Sequence, residues 1–419
     1  MPGFDLLQSS CYHRFRTDMI GEGHKQLTHI FCGNLIDGSG GPVQNRILIR
    51  IERGVIDSLD EIASREQLPS ETVDLSDFTV LPGLIDCHVH LLMTGSSDSV
   101  LRRSQLNYSF EEAIPIITRH LSAQAFHGII ALRDGGDYGG YALRFKREVL
   151  SKSSIHTSIN CAGRAWRAHG RYGSLIGRAP DNNLSLAQAI AADTDHPDHI
   201  KIVNSGINSL TEFGKETRPQ FTIEELTQAV KIAGQLGLKT MVHANGRIPV
   251  HIAASAGCSS IEHGYFMGED NLKLLADSGI YWIPTAYPMK AYAEQARKGS
   301  READIAAQNL DYQLEQIRLA RRIGVPVAIG TDCGSLGVEH GNSFSEELQL
   351  FIEAGFTLPE VVRLATVSAA NLLGIGHEFG ELRVGGPATF IALQGGPSQL
   401  LKSLKSSPVK VYIRGRQFG

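Results

Sequence analysis

The sequence predicts an α/β fold whose main body is a (β/α)8 TIM barrel. Three observations carry this. After residue 80, short apolar segments alternate with amphipathic helical stretches eight times. The alternation runs over about 300 residues, which suits a closed barrel better than an open doubly wound sheet. No G-x-G-x-x-G follows any strand candidate, so a dinucleotide-binding sheet is disfavoured.

The elements follow in order. Residues 1–26 match no periodic pattern and read as an N-terminal extension. Residues 27–60 show short alternating segments broken at "DGSGG" and "ERG", the pattern of a small β-meander. The barrel region, residues 80–382, opens with the strand "TVLPGLIDCH" and the helix "SFEEAIPIITRHLSAQAF". The next pairs are "GIIALRDGG" with "YALRFKREVL", and "HTSINCAGR" with "LSLAQAIAADT". "HIKIVNSG" precedes "TIEELTQAVKIAGQLG", and "LKTMVHANG" precedes "RIPVHIAASAG". "SSIEHG" precedes "DNLKLLADSG", "IYWIPTAYP" precedes "EADIAAQNLDYQLEQIRLARRIG", and "PVAIGTD" precedes "SFSEELQLFIEAG". The chain ends in strand-like "PATFIAL" and "VKVYIRGRQFG". The two β-rich ends, 27–79 and 383–419, form either one small domain or two unrelated edge pieces; periodicity does not choose.

Composition narrows the partners. A net charge of −4 gives no basis for binding nucleic acid or an anionic membrane. No run approaches the ~18 apolar residues of a membrane span. The start of the chain lacks the basic-then-apolar pattern of a signal peptide. Six cysteines are scattered singly, as reduced thiols would be, and a cytoplasmic location is expected.

Chemistry is expected at the carboxyl ends of barrel strands. The first strand ends in His88-Val89-His90, and residues i and i+2 share a face, so both rings can meet one ion. Lys201 lies in the fourth strand, His243 and His263 end the fifth and sixth, and Asp332 ends the eighth. Any one of these histidines is as readily a hydrogen-bonded core residue. The set is different: four imidazoles and a carboxylate in apolar strands carry a desolvation cost that a metal would relieve. Cys87 faces away from His88 and Cys333 follows Asp332, so neither is an expected ligand. In the third-strand loop, "GRAWRAHGRYGSLIGR", the residues Arg167, His169 and Arg171 are candidates to grip an anionic or aromatic part of a substrate, or form a solvated basic loop. Tyr287 and His340, on later loops, are candidate pocket walls.

The stretches "LPGLIDCHVHL", "HIKIVNSG", "VHANG", "IEHG", "GTD" and "LATVSAANLLGIG" resemble the amidohydrolase superfamily. The similarity is to its binuclear branch with a carboxylated lysine, alongside prolidase-like, Xaa-amino-acid carboxypeptidase and ochratoxinase members. It spans most of residues 27–419 and implies a small β-sandwich domain formed from both termini beside the barrel. It also implies two divalent ions, zinc by expectation. His88, His90 and Asp332 would hold one, His243 and His263 the other, with a CO2-derived carbamate on Lys201 between them. The chain departs from the family pattern at "VGGPATFIAL", where relatives carry a Gly-Lys-x-Ala-Asp-Leu-Val segment. It departs again near His169, where relatives often show Gly-Gly-His.

The resemblance implies a metal-bridging hydroxide that attacks a carbonyl, with Asp332 as proton shuttle. The expected activity is hydrolysis of an amide C–N bond in a small substrate such as an N-acyl amino acid or dipeptide. "HANGRIPVH" lacks the acid that deaminases of this superfamily carry soon after the fifth-strand histidine, which disfavours deamination. A deaminase or a cyclic-amide or lactone hydrolase is the alternative, and a catalytically silent scaffold a third. The expected partner is a small molecule, and a homo-oligomer is expected.

Overall fold

The computed structural model of the chain describes residues 27–181, 183–406 and 408–418. The expected extension, residues 1–26, lies outside the described residues.

Both ends of the chain meet in one seven-stranded sheet. Its strands are β1 (Leu27–Leu35), β2 (Gln44–Glu52), β3 (Val55–Glu61) and β4 (Thr72–Pro82) from the front of the chain. After strands β5 to β13, described below, come β14 (Phe390–Gln394), β15 (Lys410–Ile413) and β16 (Arg416–Phe418). The order is β16-β15-β14-β4-β1-β2-β3. The long strand β4 joins the halves, running parallel to β1 on one edge and antiparallel to β14 on the other. Gly33 permits the close approach of β1 to β4, because a Cβ there would stand 2.0 Å from the Ser76 carbonyl oxygen. The sheet rolls: Ile56 N–H donates to Gly386 at 2.9 Å and Ala388 N–H to Gly54 at 2.9 Å, bringing the approach to β14 onto the outer strand β3. Ile30, Ile49, Ile56, Leu75, Phe390 and Tyr412 fill its inside. A single rolled sheet therefore stands where two stacked sheets were expected, because β4 is hydrogen-bonded on both sides.

The middle of the chain is an α/β fold with parallel sheets. β5 (Leu84–Val89), β6 (Ile129–Asp134) and β7 (Ser158–Cys161) form one. β8 (Ala165–Trp166), β9 (Gly177–Arg178), β10 (His199–Val203), β11 (Lys239–Ala244), β12 (Ser260–His263) and β13 (Tyr281–Ile283) form the other. β5 and β10 are buried along their whole length, as expected of parallel strands covered on both faces. Ile85, Ile130, Ile202, Val242 and Ile261 share one core with the helices. Helix starts follow their capping signals: Ser109 with Glu112, Ser185 with Gln188 and Thr222 with Glu225 each form a capping box.

The expected eighth strand, "PVAIGTD", is not a regular strand. It makes isolated bridges, Trp282 to Val327 and Val89 to Cys333. Its backbone lies between β13 and β5: Trp282 N–H donates to Pro326 at 2.8 Å, and Cys87 N–H to Ile329 at 2.9 Å. Pro326 has no N–H to return to a ladder, and Asp332 leaves extended geometry at φ 59°. Among the described residues, no helix is long and apolar enough to cross a membrane.

Candidate metal centre

Parallel pairing brings the expected residues to one end of the strands. Val203 is in register with His243, and Ala244 with His263. Asp332 N–H donates to the His88 carbonyl at 2.8 Å, which docks the acid beside the first strand. His88, His90 and Asp332 each offer one donor atom within 4.8 Å of the others. The Nε2 atoms of both rings stand 3.5 Å from the same Asp332 oxygen, Oδ1. The other oxygen, Oδ2, accepts the Ser335 hydroxyl at 2.7 Å. The remaining two rings lie next to this group, with His263 4.9 Å from His88 and 4.6 Å from His243 between ring centroids.

Each imidazole is tied at one nitrogen. His88 Nδ1 meets Glu262 Oε2 at 2.7 Å, and His90 Nδ1 meets the Gly136 carbonyl at 2.9 Å. His243 Nε2 meets the Gly206 carbonyl at 3.0 Å, and His263 Nδ1 meets Thr285 Oγ1 at 2.7 Å. His88 Nε2 is fully buried with no hydrogen-bond partner. A buried, orphaned ring nitrogen facing a carboxylate and a second ring fits a cation.

Burial sets the charges. It lowers His90 to about 4 and His243 to about 3, and takes His88 and His263 well below the usual imidazole range. The Lys201 ammonium pushes all four the same way. The rings are thus neutral at pH 7, the form that donates an electron pair. Burial also lifts Asp332 to about 6 and brings the fully buried Lys201 down to about 8.

Two of these residues hold strained backbone: His263 has φ 68° and Asp332 φ 59°. The His263 carbonyl is gripped by Trp282 Nε1 at 3.0 Å and Gln313 Nε2 at 2.6 Å, which holds the ring inward. Gly135 lies against the rings, since a Cβ there would be 2.8 Å from His90 Cε1.

The expected substrate contacts are elsewhere engaged. Arg167 donates to the Ala168 and Arg171 carbonyls, and Arg171 to Arg218 O at 2.8 Å. His169 Nε2 meets Pro180 O at 2.6 Å. These side chains satisfy backbone acceptors of an irregular loop, and the neighbouring Arg164 and Arg178 pair with Asp195 and Asp193. Tyr287 starts the helix Tyr287–Gln295 and packs half-buried between the core shared by the parallel sheets and a second cluster that includes Val89, Leu91 and Cys333. His340 is buried and stacked on His120 at 4.0 Å, with Nε2 on Met93 O at 3.0 Å, so it is an internal brace and not a pocket wall. From the same loop as Arg167, the partly exposed Tyr172 reaches the centre, its ring 5.5 Å from His243. Sequence reasoning passed over Glu262 and Arg133, whose signal was a charge inside the apolar strands "SSIEHG" and "GIIALRDGG".

The described cysteines, Cys32, Cys87, Cys161, Cys258 and Cys333, are free and buried.

The amidohydrolase family profile matches residues 79–418. An ochratoxinase from Aspergillus niger is 25% identical over 93% of this chain and 85% of its own length. An imidazolonepropionase from Pseudomonas putida is 24% identical over 87% of this chain and 92% of its own. A crystal structure of a Xaa-Pro dipeptidase with bound methionine in the active site superposes with a TM-score of 0.78 at 28% identity, covering 94% of this chain and 100% of that one.

Proposed function

The chain belongs to the amidohydrolase family, and from that premise we propose that it is a metal-dependent hydrolase cleaving an amide C–N bond in a small N-acyl amino acid or dipeptide. Family membership and the ochratoxinase and dipeptidase neighbours support amide hydrolysis. The observation that carries the metal-dependent part is the unpartnered, buried His88 Nε2, which faces Asp332 beside His90.

In this reading His88, His90 and Asp332 hold one divalent ion, and His243 and His263 hold a second. Zinc suits nitrogen and oxygen donors of this kind. When bound, such ions polarise a carbonyl and lower the pKa of water. The chain's own residues do the rest. Burial brings Lys201 down to about 8, so a minor fraction of its amine is neutral at pH 7. That nitrogen would add CO2 and release a proton, and the resulting anionic carbamate would supply a further oxygen donor. Asp332, whose Oδ1 faces both rings, is placed to take a proton and pass it to the leaving nitrogen. Ser335 orients Asp332 through Oδ2. The two parallel sheets would be walls of one (β/α)8 barrel spanning 80–382, and the rolled terminal sheet its small companion domain from 27–79 and 383–419.

The relationship to an imidazolonepropionase supports a second reading, a hydrolase of a cyclic amide. One screen separates the two. Purified, zinc-loaded protein is offered N-acyl amino acids, dipeptides, cyclic amides and heterocyclic amines, with acid and ammonia release followed separately. Acid release from linear amides, without ammonia, is the expected result. Turnover of the cyclic compounds alone would favour the second reading.

A further inference from the structure

Resting on that reading of the centre, we infer that Glu262, braced by Arg133 and Ser260, is a positioning residue that fixes the tautomer and aim of His88. The four groups are buried together and come from three strands: His88 on β5, Arg133 on β6, Ser260 and Glu262 on β12. Glu262 divides its oxygens. Oε1 accepts Arg133 Nη2 at 2.9 Å and Ser260 Oγ at 2.5 Å. Oε2 is left for His88 Nδ1 at 2.7 Å. Arg133 is itself anchored, donating from Nε to Cys87 O at 2.7 Å and from Nη1 to Ser260 Oγ at 3.0 Å.

The proton's place follows from this. A carboxylate facing a guanidinium is an acceptor only. The hydrogen between Glu262 and His88 must therefore sit on Nδ1. A neutral His88 then carries its lone pair on Nε2, the atom that faces His90 and Asp332. The other three rings are tied to two backbone carbonyls and a threonine hydroxyl. His88 alone has its outer nitrogen on a carboxylate.

An Arg–Glu pair at full burial is a poor investment if stability is its only role, because desolvation offsets much of the attraction. It also stitches two sheets that share no regular strand pairing, since β5 and β6 belong to one and β12 to the other. The network thereby sets how the first-strand ligand meets the sixth-strand segment.

The test uses the full chain stripped of metal and titrated with Co2+, read by its visible absorption bands. In Glu262→Gln the amide oxygen faces Arg133, so the NH2 group faces Nδ1 and drives the proton onto Nε2. Co2+ affinity is expected to fall by about 10- to 100-fold, with altered bands. The double variant Arg133→Met/Glu262→Met removes both buried charges together, leaves His88 Nδ1 without a carboxylate acceptor and is expected to show the same loss. Nitrogen-15 spectra of histidine-labelled, metal-free wild type are expected to show His88 protonated at Nδ1. Wild-type affinity and bands in either folded variant, or a wild-type His88 protonated at Nε2, overturns the positioning role. If neither variant folds, the wild-type tautomer decides. Failure of the wild type to take up any divalent ion would instead sink the reading of the centre itself.

Discussion

His88 and His90 share one oxygen of Asp332, each ring placing Nε2 3.5 Å from Oδ1. His88 in β5 and His90 just past its end thus converge with one residue from a segment more than two hundred residues later. The segment is docked beside them by several bonds across the gap, among them Asp332 N–H to His88 O, Cys87 N–H to Ile329 O and His90 N–H to Cys333 O.

Asp332 should be the most sensitive position. Asp332→Asn keeps the volume but cannot shuttle a proton, so kcat is expected to drop by about 10²- to 10⁴-fold. Steady-state kinetics on whichever amide proves to be turned over measures this. A variant retaining more than a tenth of wild-type kcat would remove Asp332 from proton transfer.

Lys201→Ala should lose most bound metal and most activity, because the amine that would carry the carbamate is gone. Elemental analysis of the purified variant and its turnover are the readouts. Wild type prepared without bicarbonate should be impaired in the same way and recover on adding it. Intact turnover in both preparations would rule out the carbamate.

His243→Asn should remove one ion in preference to the other, since His243 lies outside the tight His88–His90–Asp332 group. Metal content per chain is expected to fall from about two toward one. An unchanged ratio contradicts its assignment.

Glu347 offers a pH test away from the centre. Buried at the start of the Tyr287–Gln295 helix, it accepts Ala286 N–H at 3.0 Å and Tyr287 N–H at 2.7 Å. Burial raises it to about 8 from 4.5. The folded protein therefore keeps a proton that the unfolded chain releases above about 4.5. Stability from this group is greatest below that pH and is lost as pH climbs toward 8, at no more than ~1.4 kcal/mol per pH unit. Denaturant unfolding of wild type and Glu347→Gln at pH 5, 6.5 and 8 should show wild type losing ground to the variant as pH rises. A gap that stays constant across the three would show that Glu347 does not titrate in this way.

Much of the fold was legible because it rests on local periodicity. The helices Phe110–Phe126, Ile223–Gln235 and Arg301–Ile323 begin and end within a residue or two of their sequence signals. The eighth strand was misread. "PVAIGTD" is apolar enough for a strand, but its partners are set by β5 and β13, and the proline and the φ of Asp332 interrupt the ladder. For the loop arginines the sequence left two alternatives open, a grip on a substrate or a solvated basic loop, for a similar reason. A guanidinium in a sequence does not disclose whether its acceptor is a ligand or, as for Arg171, a carbonyl 47 residues away.

By itself, the order of residues determined the alternation of strands and helices, and with it which side chains stand at strand ends. His88, His90, His243, His263 and Asp332 could be proposed as ligands from that alone, because period and strand polarity are properties of neighbours along the chain, whereas Lys201, in the middle of its strand, took its proposed role from the family resemblance. Only the tertiary structure decided which nitrogen of each ring is tied by a hydrogen bond, that Glu262 and Arg133 stand behind His88, and that both termini share one rolled sheet. Those depend on contacts between segments far apart in sequence, where burial makes an unpaired polar atom costly and so forces each donor onto one particular acceptor.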